Sequence, residues 1–246
     1  FASEALDIPV ETIRVKGCPD TDLSPYDWQT VASRQTWATG NAVFRAAAEI
    51  RRKLCDTAGE ALGVPPEELT LRNGAVVHDA TGQSIPFPRL VMGYQFPDGH
   101  AIGGPVAAAS SYLPEGLLFL DPETSQSAKP VAKWTFGAQA VEISVDPETG
   151  QVTVEKVAAC YDVGRVVNPA LIRGQTYGGI VQGLGTGTME ELVLDTKTGR
   201  AVNASLMDYK IPSTEDVPAE MVADFVETAQ KDGPMGARGI GEHTMI

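Results

Sequence analysis

The sequence predicts an α+β protein built as two similar-sized lobes, with mixed sheets that carry helices on one face. Three observations predict it. A long apolar period of helical spacing follows residue 41, a period-two hairpin is centred on residues 146–150, and a glycine-rich segment opens with Asn168-Pro169.

In chain order, the first segment runs to a Thr-, Ser- and Pro-containing loop over 20–27, followed by the stretch 31–40. A helix is expected from near Asn41, because Val43, Ala46, Ala47, Ile50, Leu54, Ala58 and Leu62 recur at helical spacing. Gly63 and Pro65-Pro66 end it, as a glycine cap followed by proline does. Strands are expected near 69–71 and 75–77. Residues 95–130 are rich in Gly, Pro and Ser without periodicity, which predicts a long ordered connector. Val141, Ile143 and Val145 alternate with polar residues, Asp146-Pro-Glu-Thr-Gly150 turns, and Val152 and Val154 alternate again. The expected first lobe covers 1–130 and holds the Ser33 loop and its helix. The second covers 131–246 and holds the hairpin, the glycine-rich helix and the Glu242 segment.

That last helix should start at Pro169, a residue suited to the first helical position. Six glycines then fall between 174 and 187. At about 1 kcal/mol each relative to Ala they cost such a helix roughly 5–6 kcal/mol. Two readings meet that cost: tight packing against another helix, or a bulky ligand lying on the bare backbone with Gln175 or Gln182 as its polar contact.

Composition narrows the class. A hydrophobic content of 43% and a charged content of 21% are those of an ordinary globular chain. A net charge of -13 argues against a nucleic-acid partner, whose binding rests on Lys and Arg meeting phosphates. No apolar run is long enough for a membrane span, so no membrane partner is expected. Cys18, Cys55 and Cys160 are too few and too scattered for a disulfide framework or zinc site, and read as reduced, buried thiols. Reduced thiols point to the cytoplasm, with the periplasm as the alternative. The first residues lack a signal-peptide pattern and open inside an apolar helical one, so a piece of a longer chain is expected.

Near the carboxyl end, Pro234-Met-Gly-Ala-Arg-Gly-Ile-Gly-Glu242 places three glycines within six residues and delivers one carboxylate. Either this is a flexible tail, or the glycines let a reacting group approach. A carboxylate partly withdrawn from water has a raised pKa and serves as a general base. His243 is a second titrating group or, as a lone histidine, structural. Ser33 and Arg34 precede the expected helix. They either seat a phosphate there with a hydroxyl and a forked cation, or shape a turn and pair with a surface carboxylate. Asp162 and Arg165 read as a strand-end turn held by an ion pair. No protein metal ligands are expected.

Taken together, five stretches resemble the molybdopterin-binding subunit of the molybdenum hydroxylases, the family of xanthine dehydrogenase, aldehyde oxidase and aerobic carbon monoxide dehydrogenase. They are Ala32-Ser-Arg-Gln-Thr-Trp-Ala-Thr-Gly-Asn-Ala-Val43, Asp162-Val-Gly-Arg-Val-Val-Asn-Pro169, Gly174-Gln-Thr-Tyr-Gly-Gly-Ile-Val-Gln-Gly-Leu-Gly185, Asp208-Tyr-Lys-Ile-Pro212 and Gly236-Ala-Arg-Gly-Ile-Gly-Glu242. The resemblance implies that Glu242 is the base that activates a water-derived nucleophile beside molybdenum. It implies that Gln182 bonds the pterin or its molybdenum ligands, that Ala32 and Ser33 touch the pterin and its phosphate, and that Arg34 is a neighbour. The glycines would then leave room for cofactor and substrate.

The implied cofactor is molybdenum-molybdopterin, with the cytosine dinucleotide form as one option. The implied activity is hydroxylation of a small molecule, an aldehyde or N-heterocycle, with electrons passed to [2Fe–2S] and FAD partner subunits in a dimer of the whole assembly. Family subunits are much longer. The N-terminal half that supplies another cofactor-contacting loop lies outside these residues, so the chain alone is expected to bind no stoichiometric molybdenum and to be inactive. The alternatives are a catalytically silent homologue acting as a binding or assembly module, and a phosphate-ligand binding domain built on Ser33.

Overall fold

A computed structural model of the protein describes residues 1–17, 20–22, 24, 27 and 29–245. Cys18 and part of the 20–27 loop lie outside the described residues. The chain divides into two compact units, Phe1–Gln29 with Ala38–Pro114, and Thr30–Trp37 with Glu115–Ile246. The expected lobes, 1–130 and 131–246, differ from this division in two places. The break falls at 114–115, and the Ser33 loop groups with the second unit because its backbone packs against the glycines near 240.

In the first unit a short helix α1 (Ala2–Leu6) precedes the long helix α2 (Arg34–Leu62), whose first turn is counted with the second unit. Strands β1 (Leu69–Arg72), β2 (Ala75–His78) and β3 (Gln83–Pro86) form an antiparallel sheet, and β4 (Met92–Gln95) pairs with β5 (Ala101–Pro105). Asn73 and Gly74 join β1 to β2 with φ of 48° and 75°, the two-residue turn whose twist matches the flanking strands. Leu54, Cys55 and Ala58 of α2 form a core with Leu69, Val76, Ile85 and Leu90. Leu54 and Ala58 are among the residues whose spacing predicted the helix.

Two expectations need correction here. The helix begins at Arg34, not near Asn41: Trp37 and Ala38 are both buried, and that packing carries the helix through Thr39-Gly40 despite their poor propensity. The connector expected over 95–130 contains β5. Its sequence Ala-Ile-Gly-Gly-Pro has little strand character, and its pairing to β4 alone makes it a strand.

In the second unit β6 (Phe136–Val145) and β7 (Val152–Asp162) form the expected hairpin, longer than the alternation showed, and β8 (Glu220–Val226) lies parallel to β7. Asp146 closes the hairpin turn by accepting from the Glu148 N–H and the Thr149 hydroxyl. Helix α3 (Pro169–Thr188) lies between β7 and β8 in sequence, as a parallel pair requires. Its Asn168 side chain caps the Leu171 N–H, with Pro169 at the first position. Val157, Ala159, Tyr161, Val163, Ile180 and Ile240 form the second core. The fold is α+β, and the sheet of the second unit is mixed.

Candidate active site

The Glu242 segment is positioned by the ends of β7 and β8. Asp162, at the end of β7, accepts from the Gly164 and Thr228 N–H groups and faces the Arg238 guanidinium at 3.4 Å. Arg238 also donates to the carbonyls of Thr228 and Trp134. Burial would raise the Asp162 pKa, but these N–H groups and Arg238 outweigh it and hold the carboxyl below its usual range. The ion pair expected between Asp162 and Arg165 is therefore corrected: the partner is Arg238, brought in by the 234–241 segment. Arg165 contributes its backbone N–H to the Gly236 carbonyl.

Gly239 and Gly241 have a definite reason. A Cβ on Gly239 would meet the Ala32 carbonyl oxygen, and one on Gly241 would meet the Ala32 backbone. Ala32 and Ser33 in turn hold φ of 49° and 53°, the left-handed region that non-glycine residues seldom adopt. The expectation that these glycines clear space for cofactor is thus revised. Their missing side chains are needed where two backbones touch, and Gly241 also borders the cavity. The segment ends in a 3₁₀ turn, Gly241–Met245, fixed by buried Thr244. The Thr244 hydroxyl donates to the Gly241 carbonyl at 2.9 Å, and its carbonyl accepts from Gln139 Nε2 at 2.9 Å.

On α3 both readings of the glycines hold, for different residues. Gly179 and Gly183 are bare because a Cβ would strike Thr244 and the Met245 carbonyl; the packing partner is this 3₁₀ turn. Gly185 makes room for Pro212 and Glu190, and the Tyr209 hydroxyl donates to Glu190 at 2.9 Å. The 208–212 stretch is thereby tied to the helix. Gly178 has nothing within 4 Å of its Cβ position and faces open space.

These elements enclose a cavity of about 370 Å³ within the second unit, lined by Thr30, Ala32, Ser33, Gln175, Gly178, Gly179, Gln182, Gly241 and Glu242. Its size suits a small-molecule or cofactor site. Of the residues singled out from sequence, Ala32, Ser33, Gln175, Gln182 and Glu242 meet there. Arg34 does not line it; it is the first residue of α2 and its N–H bonds the Val31 carbonyl. Ser33 donates to Gln175 Oε1 at 3.4 Å. Thr30 and Thr244 carried no sequence signal, because a lone threonine becomes informative only when its neighbours are known. Glu242 is exposed, against the expectation of a carboxylate partly withdrawn from water.

His243 is half-buried, and its Nε2 has no hydrogen-bond partner among the described residues. Its ring sits edge-on to Tyr161 with centroids 5.1 Å apart, and burial lowers its pKa against the opposing Ile240 carbonyl and Glu242 carboxylate. Among the described residues no cluster of three His, Cys, Asp or Glu side chains could hold a metal. No described helix is long and apolar enough to cross a membrane. Cys55 is buried and free and Cys160 half-buried and free.

The donor set fits a polar ring system: two amide side chains, a serine hydroxyl, a stretch of bare helix backbone at Gly178 and one carboxylate, with no protein cage for an ion. The molybdopterin cofactor-binding domain family matches residues 1–218, and the chain belongs to that family. It is 30% identical to a xanthine dehydrogenase molybdenum-binding subunit of Escherichia coli O157:H7, over 100% of this chain and 31% of that protein. It is 31% identical to a nicotine 6-hydroxylase large subunit of Paenarthrobacter nicotinovorans, over 100% of this chain and 28% of that protein. The structure of quinoline 2-oxidoreductase from Pseudomonas putida 86 superposes with a TM-score of 0.82 at 27% identity, covering 99% of this chain and 29% of that one. The chain thus spans less than a third of the length of these relatives.

Proposed function

We propose that this chain is the part of a molybdenum hydroxylase subunit that holds one side of the molybdopterin and supplies the catalytic base, Glu242. The observation that carries the reading is the meeting of Ser33, Gln182 and Glu242, from three distant stretches, in one cavity of a chain whose residues 1–218 match the molybdopterin cofactor-binding domain. When bound, the molybdenum–pterin group supplies the two-electron redox chemistry of inserting a water-derived oxygen into substrate.

The chain's own residues bind, orient and move a proton. Gln182 and Gln175 offer amide donors and acceptors along one face of α3, and the 32–33 turn offers the Ser33 hydroxyl and backbone to the pterin and its phosphate. Glu242, held by Thr244 and the Asp162–Arg238 pair, accepts the proton from the nucleophile. Its exposure in this chain is consistent with a site whose other wall comes from the rest of the subunit.

The substrate class is an aldehyde or N-heterocycle; the names of the relatives above, with xanthine, nicotine and quinoline, support the heterocycle. Electrons pass to [2Fe–2S] and FAD partner subunits in a dimer of the whole assembly, and the cofactor is carried as molybdopterin or its cytosine dinucleotide.

The test is Glu242→Gln in the complete enzyme. Turnover should fall by about 10²–10⁴-fold, the worth of a general base, with molybdenum content unchanged. Unchanged turnover with molybdenum retained would remove Glu242 from the mechanism, whereas a natively isolated complex without molybdenum would favour the silent-homologue reading.

A further inference from the structure

Among the described residues, strand β6 is an open edge. The sheet order is β6-β7-β8, and of the ten residues of β6 only Gln139 is not exposed. Opposed residues of an antiparallel pair share a face. Val141 stands opposite Val157, Ile143 opposite Val154 and Val145 opposite Val152. Val157 is sealed in the core with Ile180 of α3, yet Val141, Ile143 and Val145 remain 51%, 52% and 52% exposed. The apolar stripe therefore continues the core-side face beyond its cover. It also borders a cleft lined in part by Val152, Val154 and Leu184.

A free edge strand is normally blunted by lysine, proline, shortness or a β-bulge, and of these the β6–β7 pair shows only a register shift between Glu142 and Ile143. Here ten residues carry one charge, Glu142, and no lysine or proline. The surface area agrees: two separate folded domains of half this mass are expected to expose about 12,700 Å² together, and the chain exposes 16702 Å². The excess, about 4,000 Å², is shared among several exposed apolar stretches, of which the β6 stripe is one.

We propose that β6 is the docking edge for the remainder of the same subunit, which lays an extended apolar segment along it as a further strand and covers Val141, Ile143 and Val145. This rests on the reading of the chain as part of a longer subunit. The occupant follows from the relatives, which carry more than two thirds of their length beyond the matched region. Main-chain bonds to the free edge supply affinity, and alternate side chains of the added strand meet the valine–isoleucine stripe.

The experiment uses the full-length subunit in its assembled enzyme, with p-benzoylphenylalanine replacing Ile143 and cross-links mapped by peptide mass spectrometry. The expected product is a cross-link within the same polypeptide, to a β-type apolar stretch outside these 246 residues. A cross-link to a second copy or to another subunit overturns the proposal. As a second measurement, Ile143→Cys should react with maleimide about ten-fold or more slowly than Glu148→Cys on the hairpin turn, since an interface core excludes solvent. Equal rates overturn it. A natural subunit whose intact mass equals the 26.0 kDa of this chain defeats the longer-subunit reading itself, a result distinct from a misplaced cross-link.

Discussion

At the scale of single residues, the electrostatics around the Glu242 segment give two testable titrations. Asp162 and Arg238 have side chains only 15% and 8% exposed, so Asp162→Asn leaves a buried guanidinium without its counter-charge. The expected cost is about 3 kcal/mol or more, read from chemical denaturation. The folded pKa of Asp162 lies below its unfolded value of about 3.9. Its contribution is therefore complete above that value and is lost as pH falls through the folded pKa; the variant should lose that part of the acid dependence.

Lys133 runs the other way. Its Nζ is buried with no hydrogen-bond partner among the described residues, 4.2 Å over the Trp37 ring. Desolvation lowers its pKa to about 7, with Asp232 opposing and Arg238 and Arg34 assisting. Below that pH the charge is carried in both states and its burial opposes folding. Stability should rise between about pH 7 and 10, where the unfolded chain alone stays protonated. Lys133→Met should remove this rise and increase Tm at pH 6, by about 2–4 °C for each kcal/mol relieved. Neither pair was legible in the sequence: Asp162 was matched there to Arg165, three residues away, because the approach of residue 238 is set by the fold.

At the scale of elements, periodicity was the most informative signal. Leu54 and Ala58 marked the buried face of α2, Asn168-Pro169 marked the start of α3, and Asp146-Pro-Glu-Thr-Gly150 marked the β6–β7 turn. The same Asp-x-x-Thr pattern closes turns at Asp121 and Asp195, where each carboxylate accepts from the threonine N–H and hydroxyl, so two further turns were readable. Strand β5 and the first turn of α2 were not readable, since both exist through packing that their own residues do not favour.

The glycines of α3 allow a paired test. Gly179→Ala would press on Thr244, and is expected to cost about 1–3 kcal/mol and to loosen the Glu242 turn. Gly178→Ala meets nothing, so the melting temperature should hold while molybdenum content of the assembled enzyme falls. Equal effects of the two variants on stability would mean that the two faces of the helix are not divided as described.

At the scale of the whole molecule, the cavity is lined by residues of the second unit, and the family relatives are more than three times as long. The 246-residue chain expressed alone is therefore expected to purify with far less than one molybdenum per chain by metal analysis. Stoichiometric metal would show that this part alone closes the site. The sequence by itself determined the helices and hairpin with strong periods, the α+β class, the family resemblance and five cavity residues, Ala32, Ser33, Gln175, Gln182 and Glu242. Those signals are local, or are carried by residue types that a bare backbone or a base demands. Only the tertiary structure decided that Gly239 and Gly241 serve the 32–33 backbone, that Arg238 answers Asp162, that Thr244 pins the Glu242 turn and that β6 is left open among the described residues. Each of these depends on atoms distant in sequence meeting within a few ångströms, and contact at that range is a property of packing, which no stretch of sequence displays alone.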